Sequence, residues 1–95
     1  MQHIGVVHKE EGGETISEFP GGLPHAIFCA IPEGSTCLGF IDEYGDTVFN
    51  HLQLPVLIAE LEALVVSNPE LRCGPLVQYL KSCQGLHTYI HFIGD

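Results

Sequence analysis

Residues 38–50 read LGFIDEYGDTVFN. Two β-rich runs, 37–42 and 47–50, flank Glu43, Tyr44, Gly45 and Asp46. That pattern predicts a hairpin with the glycine in the left-handed position after a type I turn. Asp42 and Asp46 then bracket the turn, because short polar side chains cap turn amides. The same stretch gathers acids around one glycine, so it is also the first place to look for a metal or a partner.

Beyond Asn50 the period changes. Leu54, Leu57, Ile58, Leu61, Leu64 and Val65 recur at helical spacing, with Glu60, Glu62 and Asn68 off the stripe and Pro55 where a first-turn proline is tolerated. Asn68-Pro69-Glu70 carries the signature of a second helix start. Gly74-Pro75 interrupts, Leu76, Val77, Tyr79, Leu80 and Cys83 resume an apolar face, and Gly85 stops it. Asn50 and Gln53 fall at the strand-to-helix corner, where orphan helix amides need acceptors.

Upstream, residues 4–8 and 14–19 read as two strands joined by a Gly12-Gly13 turn, and 20–24 (PGGLP) break the chain. Residues 25–31 (HAIFCAI) fit a buried strand or one helical turn equally well. Residues 87–93 (HTYIHFI) carry strand formers on both parities, as an interior strand does. The string predicts a single α+β domain over residues 1–95. It is a mostly antiparallel sheet of four to five strands with two helices on one face, and the last strand returns into the sheet.

The chain has 95 residues, 45% of them hydrophobic and 16% charged, which is apolar enough for one small core. Its net charge of -9 is uneven: residues 1–50 hold one lysine against eight acids, a net of -7. Three basic residues in all cannot neutralise many phosphates, so nucleic acid and anionic membrane surfaces are poor partners. A basic protein is a better one. No basic n-region leads the chain and no run approaches a membrane span, so the expected location is the cytoplasm, with cysteines reduced.

The chemistry-bearing residues form no recognised motif. A calcium loop needs six or more oxygens at alternating positions, a spacing Asp42, Glu43 and Asp46 do not follow. His87 and His91, four apart on one strand with Tyr89 between, are the candidate metal ligands, but zinc needs three or four converging groups. Cys29, Cys73 and Cys83 read as small core residues. No nucleophile elbow, phosphate loop or dinucleotide fingerprint is present, so an enzyme is not the favoured reading and no cofactor is expected.

GFIDEYGDTVF, residues 39–49, resembles one unit of the WG-type β-hairpin repeat, but it occurs once. More broadly, FIDEYGDTVFNHLQLPVLIAELEAL together with the terminal HTYIHFIGD resembles a group of small uncharacterised bacterial proteins. They share an F-I-D-x-Y-G-D-T-V-F-N-x-L-Q block before a helix and an F-I-G-D end. The likeness covers about half of the chain and leaves residues 1–31 unmatched. It implies a bacterial origin without an activity, and that the acidic turn, Asn50, Gln53, Gly94 and Asp95 act as one unit. The functional expectation is a non-catalytic acidic module binding a more basic partner, as an immunity or inhibitor protein does, through Asp42, Glu43, Tyr44 and Asp46. The alternatives are a metal-binding protein or small metalloenzyme using His and Cys, and a structural homo-oligomer.

Overall fold

The computed structural model describes residues 3–10, 12–32, 34–42, 44–83, 85 and 87–94. Strands β1 (His3–Glu10), β2 (Thr15–Pro24), β3 (Asp46–Asn50) and β4 (Thr88–Ile93) form one sheet in the order β2-β1-β4-β3. Every neighbouring pair is antiparallel. Helices α1 (Leu54–Ser67) and α2 (Gly74–Ser82) lie between β3 and β4 in the chain. The fold is therefore α+β, with the last strand inserted between β1 and β3.

Alternation along the strands divides the two faces. Ile4 and Val6 of β1, Leu23 of β2, Phe49 of β3 and Ile90 and Phe92 of β4 are buried in one cluster. Leu57, Leu61 and Leu64 of α1 and Leu76, Val77 and Leu80 of α2 complete it, so both helices cover this face. Phe49 and Phe92 meet edge to face, their centroids 5.7 Å apart. Each fully buried leucine contributes about 1.5–3 kcal/mol of transfer free energy. The other face carries Val7, Glu18, Val48, Tyr89 and His91, following the register that sets Val7 against Glu18 and His91, and Val48 against His91.

Four local expectations are corrected. Residues 37–42 are not a strand: a 3-10 turn spans Leu38–Phe40, and β3 pairs with β4 instead of with this segment. Gly45 has no left-handed backbone; its requirement is space, because a Cβ there would stand 2.8 Å from Asp42 Oδ2. Residues 20–22 do not end β2 but form an irregularity between the Ile4 and Val6 pairings, with Gly22 at φ 65°. Finally, Asn68-Pro69-Glu70 opens only the 3-10 turn Pro69–Leu71. Arg72 in left-handed geometry closes that turn, and Gly74-Pro75 begins α2. Two prolines in first turns compete here, and the one followed by the longer apolar face carries the helix.

The ambiguous 25–31 run resolves as a 3-10 turn, His25–Cys29, which buries Ile27. The Gly12-Gly13 hairpin forms as expected, both glycines at positive φ.

Candidate functional site

The acidic stretch leaves the 3-10 turn at Phe40 and enters β3 at Asp46. Its shape is set by a few short bonds. The Tyr44 amide donates to Asp42 Oδ1 at 2.9 Å, and the Asp42 amide donates to Thr47 Oγ1 at 2.9 Å. The Gly94 amide donates to the Gly45 carbonyl at 2.8 Å, which ties the loop to the end of β4. Asp42 is thus a turn-forming acid whose second oxygen occupies the space that Gly45 leaves open.

Held this way, the loop projects Tyr44, which is 76% exposed, between the exposed carboxylates of Asp42 and Asp46. Neither acid is paired with a lysine or arginine among the described residues. Glu43 lies outside them, as does Asp95. Phe40 at 72% and Leu52 at 73% exposure add apolar surface before and after β3. These two residues were not expected at the site: both sit in runs that read as strand or corner, and only the 3-10 turn at Phe40 turns its ring outward.

The corner after β3 is a reciprocal cap. Asn50 Oδ1 accepts from the amides of Leu52 (2.9 Å) and Gln53 (3.0 Å), and Gln53 Oε1 accepts from the Asn50 amide at 3.0 Å. This is capping-box chemistry placed one turn ahead of α1. Gln53 continues it by accepting the Leu57 amide at its carbonyl. The expected polar corner is present and its role is to start the helix.

The second anchor is Glu60, which the sequence placed merely off the apolar stripe. Its carboxylate reaches from α1 to residues 36–38. Oε1 accepts from the amides of Cys37 (3.0 Å) and Leu38 (2.9 Å), and Oε2 accepts from that of Thr36 (2.6 Å). Burial pushes the pKa of this carboxyl up, but the three amides outweigh it and hold the pKa below the ordinary value of 4.5. The Cys37 thiol is pushed up, first by burial and then by the Glu60 charge. The partner of Glu60 lies more than 20 residues away, and no local pattern announces it.

The histidine pair does not assemble as a strand motif. His87 precedes β4, whereas His91 lies within it on the face away from the helices. Burial lowers the His91 pKa, Lys9 lowers it further, and Asp46 opposes them. Among the described residues no group of three or more His, Cys, Asp or Glu converges as a metal would require. Cys37, Cys73 and Cys83 are buried, but Cys29 is exposed, correcting its core assignment. It falls at the end of the 3-10 turn, whose buried residue is Ile27.

Two further features lie away from the acidic loop. Under β2, the Ser17 hydroxyl and the Tyr79 hydroxyl are 2.8 Å apart, and His8 Nε2 is buried without a partner among the described residues. Burial pushes the Tyr79 phenol up, partly opposed by Ser17. Between α1 and α2 a groove of about 240 Å³ is lined by Val65, Val66, Val77, Gly74, Gln78 and Glu62. Glu62 at its edge is held by Lys81 at 2.8 Å. Neither feature brings a nucleophile, a base and an orienting acid together. No helix among the described residues is long and apolar enough to cross a membrane.

Comparison with known protein families, with curated proteins and with solved structures finds no match.

Proposed function

We propose that the protein is a non-catalytic acidic binding module that docks on a more basic protein, in the manner of an immunity or inhibitor protein. Asp42, Tyr44 and Asp46 form the contact, with Glu43 adjoining them in the chain. The observation that carries this reading is an exposed tyrosine, its backbone amide held by Asp42, flanked in the chain by two acids that no lysine or arginine among the described residues neutralises. Tyrosine, with two side-chain torsions, offers a large contact area at small entropic cost, which is why it recurs at binding hot spots. The surplus of acid, -9 over the chain, supplies the long-range attraction.

The test is affinity capture from host lysate in about 20 mM salt, where screening is weak. The bait is either the wild-type chain or the triple variant Asp42→Asn, Tyr44→Ala, Asp46→Asn. The wild type should retain a basic protein, identified by mass spectrometry, that the variant releases and that roughly 0.5 M salt elutes. Identical capture by both baits, or no capture by either, defeats the proposal.

A further inference from the structure

We infer that the partner is engaged by strand addition: an extended basic segment pairs with the outer edge of β3. This deepens the acidic docking reading and rests on it.

β3 is an edge strand. In an antiparallel ladder, backbone groups point alternately toward and away from the neighbouring strand. The Gly94 amide bonds the Gly45 carbonyl, so Gly45, Thr47 and Phe49 direct their N–H and C=O groups to β4. Asp46, Val48 and Asn50 then direct theirs outward. Asn50 confirms the phase: its outward amide is taken by Gln53 Oε1 at 3.0 Å, and its outward carbonyl by the Gln53 amide at 3.1 Å.

For Asp46 and Val48 no such partner exists among the described residues. The preceding segment does not supply one, because the Asp42 amide ends on the Thr47 side chain and not on the β3 backbone. Four outward backbone groups on two alternate residues are what a short added strand requires.

The two sheet edges differ. β2 carries Pro20, Pro24 and a register irregularity, devices that discourage pairing. β3 reads DTVFN, with neither proline nor lysine, and Val48 is 45% exposed on the open face. Charge selects the occupant. A second copy would bring another net charge of -9 to an edge already flanked by Asp42 and Asp46. A basic segment is attracted instead. Side chains two apart share a face, so the fitting pattern sets lysine or arginine beside Asp46 and a β-branched residue beside Val48.

The experiment uses the full chain, labelled with nitrogen-15, and two synthetic octapeptides alternating lysine with valine and threonine. In the second peptide, the amides that would face β3 are N-methylated. The plain peptide should bind at about 20 mM salt and slow hydrogen exchange at the Asp46 and Val48 amides. N-methylation, at unchanged charge, should weaken binding by about tenfold or more, the equivalent of one or two lost hydrogen bonds.

Val48→Pro removes an outward N–H while sparing the bonds to β4, and it should weaken the plain peptide to the level of the methylated one. Retained protection of the Phe92 and Ile90 amides verifies the fold of that variant. Equal binding of both peptides with unchanged Val48 exchange overturns strand addition and leaves acidic docking standing. Failure of both peptides to bind overturns strand addition together with the docking surface at this edge. Protection of Val48 that rises with protein concentration alone assigns the edge to a second copy and overturns the inference.

Discussion

Removing the Glu60 carboxylate should loosen residues 36–38, upstream of the acidic loop, from α1. Three backbone amides converge on it at 2.6–3.0 Å. Thr36 is exposed and its amide recovers a water, whereas Cys37 and Leu38 are buried. An unmet buried amide costs about 1–3 kcal/mol, so with two of them Glu60→Ala should destabilise the fold by about 2–6 kcal/mol. Glu60→Gln keeps an acceptor oxygen but no charge and should cost about 1–2 kcal/mol. Against a stability of about 5–15 kcal/mol for a domain of this size, either loss is measurable.

The pH dependence follows from the depressed pKa. The native state holds the charged form, so this contribution is complete above the ordinary carboxyl value of 4.5. It is lost as pH falls through the lower native value. Urea unfolding from about pH 7 to about pH 3 should therefore show a gap between wild type and Glu60→Gln that is widest near neutrality and closes in acid. A gap unchanged across that range, or below about 0.5 kcal/mol throughout, would refute the reasoning.

Gly45→Ala should force the Asp42 carboxylate away from the Tyr44 amide, since the new Cβ would lie 2.8 Å from Oδ2. The expected cost is about 1 kcal/mol, with faster exchange of the Tyr44 amide as the readout. His91 should titrate below the ordinary histidine value of 6.5, followed by its ring proton shifts; Lys9→Met should raise its pKa and Asp46→Asn should lower it. Because the unfolded chain binds that proton more readily, this histidine withdraws stability as pH falls through 6.5 toward the native value. Ellman's reagent should label Cys29 in the native protein and all of Cys29, Cys37, Cys73 and Cys83 after unfolding. Rapid native labelling of any buried thiol would contradict its packing.

What could be read from the chain was what local chemistry determines. The stripe of Leu54, Leu57, Ile58, Leu61 and Leu64 is buried as its spacing requires, and Asn50 with Gln53 caps the corner. The two-sided apolar character of residues 87–93 placed the last strand inside the sheet, and the Gly12-Gly13 turn placed β1 beside β2. The misreading of residues 37–42 has a different cause. Residues 37–42 have strand composition, yet an acid on a helix far along the chain gathers their amides and bends them into a 3-10 turn. With that partner gone, β3 pairs with β4 across the interposed helices. At the candidate site, the acids and Tyr44 were legible as turn residues. The exposure of Phe40 and Leu52 was not, because the first depends on the 3-10 turn that follows the segment pinned by Glu60 and the second on the Asn50 corner.

The placement of β4 has a consequence for how the molecule forms. Its neighbours are β1 and β3, so the two central ladders join residues 5–10 to 88–93 and residues 46–50 to 89–93. Among the three ladders of the described strands, the β1–β2 hairpin alone is local. Closing a loop of such length is entropically slow, and high contact order lengthens folding times. Until β4 docks, the hairpin and the lone β3 share no ladder, so completion of the sheet is expected to be late. A substitution that delays that step, Phe92→Ala for instance, leaves both β1 and β3 waiting with bare edges. The penalty should then appear as aggregation during refolding as well as a lower melting temperature.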